Sequence, residues 1–190
     1  MLEFDRVSFS YRKNAPVLRD LSFRLGGGEI LTVMGESGCG KSTLLSLAAG
    51  LLAPSSGRVV CHAARVACAF QEPRLFPWLT VAQNLSAVLP KPDPRAIARV
   101  LREAELTDCA SRYPDELSGG MKSRVSLARA LLYGGDLYLL DEPFSALDAD
   151  LRRRLSDRLG AHLKQSGASL LLVTHQKEDA DRLGGRLLRL

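Results

Sequence analysis

The segment that most constrains the fold is the glycine-rich stretch 35–43, which reads Gly-Glu-Ser-Gly-Cys-Gly-Lys-Ser-Thr. It follows the apolar run 30–34, which is typical of a strand buried on both faces of a parallel sheet. It precedes 41–50, which has helical character and ends in glycine. A strand, a loop and a helix in this order form the context in which G-x-x-x-x-G-K-[ST] binds phosphate groups. An ordinary glycine-rich turn is the alternative, and this context argues against it.

Each residue type in this loop suits a phosphate ligand. The glycines let backbone N–H groups wrap around phosphates, and the N-terminus of the helix adds a favourable dipole. Lys41 supplies a positive charge to the β- and γ-phosphates, and Ser42 offers a hydroxyl to Mg²⁺. Cys39 is expected to contribute only its backbone N–H. The predicted binding residues are Gly35, Glu36, Ser37, Gly38, Cys39, Gly40, Lys41, Ser42 and Thr43.

A pair of acidic residues, Asp141 and Glu142, directly follows the apolar run 137–140. We expect this run to be a buried strand next to the strand that carries the phosphate loop. A carboxylate at its end, Asp141, can then hold Mg²⁺ through water, while Glu142 orients or polarises an attacking water. By itself, such a pair would more often be the start of a simple loop. Together with the loop at 35–43 it indicates the metal side of a phosphate site.

Strand-like and helical segments alternate in 1–71 and 134–190, which favours an α/β fold with a parallel sheet. The first 25 residues alternate in hydrophobicity and predict a strand pair with a loop at 12–16. The intervening segment, 72–133, is helical in character. Thr80 is placed to cap its first helix, a second helix is predicted at 94–106 and a third at 120–132. We expect one domain over the whole chain, with 1–71 and 134–190 as its core and 72–133 as an inserted helical subdomain.

The composition argues against a secreted or membrane-spanning protein, but it does not identify a binding partner. The net charge is +5 and the pI about 9.2, which suits nucleic acid or anionic lipid. A solvated, Arg-rich surface is the better interpretation, with 152–154 on an exposed helix face and His62 and His162 at the surface. The four cysteines show no C-x-x-C spacing, and a reducing cytosol is expected. No apolar run reaches the roughly 18 residues of a spanning helix, and the N-terminus shows no signal region.

The stretch Leu117-Ser118-Gly119-Gly120-Met121 resembles the signature of ABC ATPases, in which the last residue is usually Gln. Further elements occur in the family's order, so that the resemblance spans Phe4 to His175. Tyr11 lies where the family stacks an aromatic on adenine, and Gln71 lies where it has its Q-loop. Residues 145–148 match its D-loop, which ends in Asp148, and His175 matches its switch histidine. The joint match is very specific.

The resemblance implies a P-loop NTPase fold, with a parallel sheet core, an N-terminal antiparallel β subdomain and an inserted helical subdomain. It implies hydrolysis of ATP with Mg²⁺ in two copies that meet head to tail, each ATP lying between one copy's phosphate loop and the other's signature. It implies catalytic roles for Glu142, His175 and Gln71, and contacts to the metal for Ser42, Gln71 and Asp141. It implies contacts to the nucleotide for Tyr11, Ser118, Gly119, Gly120 and Asp148.

Among ABC ATPases, the amino-acid sequence of 70–81 looks most like that of importers of the nitrate, sulfonate and taurine group. That resemblance implies a peripheral subunit at the cytoplasmic face of the inner membrane. Its partners would be membrane permease subunits and, indirectly, a solute-binding protein, with no nucleic acid. The alternative is a soluble ABC ATPase acting on nucleic acid or the ribosome, which the basic pI would suit. The long coiled coil or second cassette of such proteins is missing from the sequence. An exporter cassette is a weaker third interpretation.

Three departures from the family pattern qualify these expectations. Met121 replaces the usual glutamine, which puts the contacts of that side chain in doubt. The stretch 58–69 is shorter than in most relatives and predicts a trimmed strand or turn. The sequence ends at Leu190, and we expect no C-terminal regulatory domain.

Overall fold

The computed structural model describes residues 1–12 and 15–190, so 13 and 14 of the predicted loop at 12–16 lie outside the described residues. The strands are β1 (Leu2–Arg12), β2 (Ala15–Leu25), β3 (Ile30–Met34), β4 (Ser56–Cys61), β5 (Val66–Ala69), β6 (Leu137–Asp141), β7 (Ser169–Val173) and β8 (Arg186–Arg189). The α-helices are α1 (Lys41–Ala48), α2 (Val81–Ser86), α3 (Pro94–Glu103), α4 (Gly119–Tyr133), α5 (Ala149–Ser166) and α6 (Lys177–Leu183). Within this described part, no helix combines the length and apolar character needed to cross a bilayer.

The core is a five-stranded parallel sheet in the order β5-β6-β7-β3-β8. Both β6 and β7 are buried along their whole length, as expected for strands covered by helices on both faces. The predicted α/β class is confirmed. The expectation that β3 and β6 are neighbours was wrong, because β7 lies between them and pairs with both. All these strands are parallel, so their carboxyl ends still meet at one edge.

A second, antiparallel sheet in the order β2-β1-β4 packs against the first and confirms the predicted N-terminal β subdomain. Alternate residues of β1 are buried, as its hydrophobic pattern predicted. Phe4 stacks on Phe23 with ring centroids 4.5 Å apart. The same apolar cluster includes Leu44 and Leu45 of α1, which lies between the two sheets.

The inserted segment is helical, and its helices bury a cluster of their own that includes Val81, Leu85, Val100 and Val125. Thr80 caps α2 through a reciprocal capping box with Gln83, as predicted in part from the sequence. The third predicted helix matches α4 closely. The second was predicted to run to 106 but ends at Glu103, because the backbone turns left-handed at Glu105 (φ 55°).

One surface prediction was wrong, and another is confirmed in part. His162 is half-buried, and its Nε2 lies 2.8 Å from the hydroxyl of the buried Tyr138; burial lowers the pKa of His162. His62 is exposed, as expected. Within the run 152–154, Arg152 is half-buried and Arg154 pairs with Glu105 across to the inserted helices. Arg153 and Arg154 are exposed on α5, as predicted for the run, but Arg154 also joins α5 to the inserted helices.

Candidate functional site

A cavity of about 550 Å³ opens where β3, β5, β6 and β7 end, a size typical of small-molecule sites. Every predicted residue of the loop 35–43 except Cys39 lines it. Five more predicted residues lie on its walls: Tyr11, Gln71, Asp141, Glu142 and His175. The carboxyl ends of the parallel strands thus bring together side chains that are up to 164 positions apart in the chain, from Tyr11 to His175.

The shape of the phosphate loop depends on two glycines. Gly38 has φ 82° and Gly40 has φ 103°, in the left-handed region that side-chain-bearing residues rarely adopt. A Cβ atom on Gly40 would also lie 2.9 Å from Cγ1 of Val17. Among the described residues, no side chain caps α1 where it begins at Lys41. Its first N–H groups and the positive end of its dipole are therefore available to an anion.

The ammonium group of Lys41 is held by the loop itself. Its Nζ donates to the carbonyl oxygens of Gly35 and Glu36, each at 2.8 Å. The Sγ of Cys39 lies 4.0 Å from the same Nζ. The N–H of Cys39 donates within the loop, to the carbonyl of Glu36 at 3.3 Å, so its predicted donation to a ligand stays a prediction. The loop thus holds the positive charge of Lys41 at the cavity through neutral groups.

The opposite side of the cavity is acidic. Asp141, the last residue of β6, is only 3 % exposed. Burial raises the pKa of its carboxyl group, and the neighbouring charge of Glu142 acts in the same direction. A buried carboxylate that is hard to ionise is stabilised by a nearby cation. The cavity therefore combines sites for an anion and for a cation.

Glu142 is fixed in a strained backbone conformation, with φ 50°. Its Oε1 lies 2.7 Å from Nδ1 of His175, and its Oε2 lies 3.4 Å from the hydroxyl of Thr174. That hydroxyl is also 3.3 Å from the buried carboxylate of Asp179, whose pKa is raised by burial. Glu142 is thus oriented from two sides by residues that follow β7.

Thr174 and Asp179 were missed by sequence reasoning. Asp179 lies in the first turn of α6, a short helix that the hydrophobic pattern did not predict. An acidic residue at the start of a helix that follows a buried strand was the available signal, although many surface helices share it.

Tyr11 lies at the mouth of the cavity. Its ring is 64 % exposed and packs edge-on against Phe9, with centroids 4.9 Å apart. The Tyr11 hydroxyl lies 3.2 Å from Oγ1 of Thr43. An exposed ring fixed beside a phosphate loop is suited to stacking on a planar group.

The predicted residues of the signature and the D-loop are not among those that line this cavity in the described part of the chain. Ser118 caps α4 by accepting from the N–H of Met121 at 3.3 Å, and Asp148 caps α5 by accepting from the N–H of Leu151 at 2.9 Å. The two helix starts lie side by side, since a Cβ on Gly120 would be 2.7 Å from the carbonyl of Ala146. They form a second polar surface, separate from the cavity.

Comparisons with known proteins agree with this geometry. The sequence model of the family described as ABC transporter matches residues 18–145. The aliphatic sulfonates import ATP-binding protein SsuB of Bacillus licheniformis is 41% identical over 181 residues, covering 90% of this chain and 71% of that protein. The taurine import ATP-binding protein TauB of Chromobacterium violaceum is 40% identical over 193 residues, covering 94% and 74%.

Solved structures show the same fold. A dimeric structure of an ATP-binding cassette, in a post-hydrolysis state with ADP and Pi, has a TM-score of 0.91 at 27% identity and covers 100% of this chain and 94% of that chain. A dimeric structure of a bacterial ABC transporter cassette has a TM-score of 0.92 at 26% identity, with the same coverage.

Proposed function

Because the chain belongs to the ABC transporter family, we propose that it is an ATP-binding subunit that hydrolyses ATP to power import of a small solute through separate membrane permease subunits. One observation carries the enzymatic part. The phosphate loop with its free Lys41 charge and the oriented pair Glu142–His175 line the same cavity. The names of the import proteins above support the direction of transport. The alternative of an ATPase acting on nucleic acid is supported only by the basic pI and is not favoured.

The cavity has the parts that phosphoryl transfer to water requires. Such a reaction needs positioning and charge neutralisation more than covalent chemistry. Lys41 and the N-terminus of α1 neutralise the phosphates. Glu142 orients the attacking water and accepts its proton, while His175 and Thr174 hold the carboxylate in place. Gln71, two residues after the end of β5, also lines the cavity and directly precedes the inserted segment in the chain.

The same cavity fits a magnesium ion. Hydroxyl, amide and carboxylate oxygens are ligands that Mg²⁺ accepts, and Ser42, Gln71 and Asp141 offer these three types. Burial raises the pKa of Asp141, and the hydroxyl of Ser42 and the charge of Lys41 offset this rise only in part. A bound cation would therefore favour the ionised carboxylate. When bound, the ion would neutralise charge on the phosphates and help orient them.

The second polar surface, at the starts of α4 and α5, suggests a site shared between two copies. The N-terminus of α4 is an anion-binding end, but it lies outside the cavity of its own subunit. In a head-to-tail dimer, residues 118–120 and Asp148 of one copy would close the nucleotide site of the other. The dimeric cassettes of the same fold support this arrangement.

A permease would dock on the segment 72–79, the docking segment, which follows Gln71. Trp78 is 70 % and Phe76 is 41 % exposed, and their rings are 5.7 Å apart. Aromatic side chains of this kind are enriched in interface cores. The buried Asn84 fixes the backbone, because its side chain bonds both the N–H and the carbonyl of Phe76. Arg129 of α4 donates to the carbonyl of Arg74, which links the docking segment to the signature helix.

Such a subunit would sit peripherally at the cytoplasmic face of the inner membrane. It would meet a solute-binding protein only indirectly, through the permease.

Replacing Phe76 or Trp78 by Ala is expected to leave ATP hydrolysis by the free subunit intact and to reduce assembly with the permease strongly. The reason is that both rings are exposed and make no contact with the cavity, while truncating an interface anchor costs about 2 kcal/mol or more in binding. The measurement is co-purification with the permease and transport in proteoliposomes. Leu51→Ala is the matched control, since Leu51 is also exposed (58 %). Unchanged assembly of both variants would place the docking site elsewhere.

Tyr11→Ala is expected to weaken ATP and GTP binding by similar factors. A π-face accepts any base, and stacking of a base on an aromatic side chain is worth about 1–3 kcal/mol in nucleic-acid complexes. Titration of both nucleotides by calorimetry measures the two affinities. A loss confined to ATP would show that Tyr11 distinguishes the edge of adenine.

A further inference from the structure

Three arginines converge on the end of α3, residues 103–105, which we call the α3 corner. Arg124 of α4 donates to the carbonyls of residues 104 and 105, at 3.0 and 2.8 Å. Arg154 of α5 makes a bidentate pair with the carboxylate of Glu105, at 2.8 and 2.9 Å. Arg158, also on α5, lies 3.4 Å from that carboxylate and donates to the carbonyl of residue 103. The α3 corner therefore connects α4 to α5.

The α3 corner is costly to form. Glu105 has φ 55°, a conformation that strains a residue with a side chain. The guanidinium groups compensate the negative end of the α3 dipole and its unpaired carbonyls. The hydrogen bonds from Arg154 lower the pKa of Glu105, so the carboxylate stays ionised. The side chains of Arg154 and Glu105 are 44% and 31% exposed. Ion pairs as accessible as this one contribute little to the stability of a protein. The Arg154–Glu105 ion pair therefore adds little to stability by itself.

Its position in the fold suggests another role. The helices joined at the α3 corner are the two whose N-caps are Ser118 and Asp148. The first turn of α4 lies against the segment that leads into α5, at Gly120 and Ala146. Arg124 and Arg154 each lie about one and a half turns into their own helix. Leu127 of α4 and Leu155 of α5 also share an apolar cluster. Two polar contacts, one next to the helix starts and one at the α3 corner, add to this packing and restrict the angle between α4 and α5.

We propose that Glu105 is a positioning residue for ATP hydrolysis, which fixes the angle between α4 and α5 and with it the spacing of residues 118–120 and Asp148 in the shared nucleotide site. This role rests on the proposed head-to-tail dimer. Glu105 lies outside the cavity that holds the phosphate loop. Its loss should therefore weaken closure of the dimer on ATP while leaving the affinity of the single subunit for ATP unchanged.

The test uses the full chain carrying Glu142→Gln, in which ATP should persist and hold the dimer. Glu105→Gln and Glu105→Gly are added separately, and Glu103→Gln is the matched control because the Glu103 carboxylate pairs with Arg99 at the surface, at 3.9 Å. Glycine accepts the left-handed conformation, so Glu105→Gly removes the carboxylate without straining the backbone. Analytical ultracentrifugation with ATP measures dimerisation, a fluorescent ATP analogue measures nucleotide affinity, and thermal unfolding checks the fold.

The expected result is a dimer dissociation constant raised about threefold to tenfold by Glu105→Gly, less by Glu105→Gln, and unchanged by Glu103→Gln. Nucleotide affinity should stay the same in all variants. Unchanged dimerisation of both Glu105 variants would overturn the role of Glu105 alone. A parallel fall in nucleotide affinity and melting temperature would overturn it as well, since the effect would then be structural. If the parent Glu142→Gln protein does not dimerise with ATP, the shared site itself is wrong, and the role of Glu105 with it.

Discussion

Lys41→Ala is expected to lower the rate of ATP hydrolysis on the order of 10²–10³-fold, the loss typical of removing one preorganised charge or donor from a transition state. In the structure, the ammonium of Lys41 donates to two loop carbonyls, at 2.8 Å each, and lies 4.0 Å from the Sγ of Cys39. Since these are neutral partners, its charge is available to the β- and γ-phosphates. Alanine leaves that negative charge uncompensated in the cavity.

Steady-state phosphate release by the purified subunit measures this loss. Lys164→Ala is the matched control, because Lys164 is an exposed lysine in the last turn of α5 and is not among the residues that line the cavity. Thermal unfolding of both variants separates a lost charge from a lost fold. Near-normal turnover of Lys41→Ala would contradict the assignment of the phosphate loop.

The phosphate loop could be predicted from the sequence because its constraints are local. Gly38 and Gly40 adopt backbone angles that favour glycine, and the strand and helix around them are continuous in sequence. The carboxylates of Asp141 and Glu142 were found in the same way, from the end of a buried apolar run. For such residues the spacing along the chain determines most of the geometry.

Other features of the fold and of the site depend on contacts between segments that are distant in the sequence. The insertion of β7 between β3 and β6 places His175 beside Glu142, and no periodicity in the sequence reports strand order. The polar network of Thr174 and Asp179 relies on α6, whose seven residues are too short to give a clear helical pattern. In the sequence, Glu105 looks like an ordinary acidic surface residue. Its contacts with arginines of α5 are visible only in the structure.

Glu142→Gln is expected to bind ATP, to hydrolyse it about 10²–10⁴-fold more slowly, and to accumulate as an ATP-bound dimer. The amide preserves the size of the side chain and can still accept a hydrogen bond from His175, whose Nδ1 lies 2.7 Å from the carboxylate. It cannot accept the proton of the attacking water, and general bases contribute about 10²–10⁴-fold to catalysis. ATP therefore remains intact between the two copies.

Size-exclusion chromatography with ATP and Mg²⁺ shows whether the dimer forms, and the same run with ADP should give the monomer. Glu178→Gln is the matched control, because Glu178 lies in the first turn of α6, near His175 in sequence, and is exposed. It should hydrolyse ATP at the rate of the unmodified chain. A Glu142→Gln protein that stays monomeric with ATP and turns over at the normal rate would show that another group activates the water. Glu142 is buried, with 8 % of its surface exposed, and removing a carboxylate from water costs free energy. Its contact with His175 must offset that cost. This arrangement argues against such an outcome.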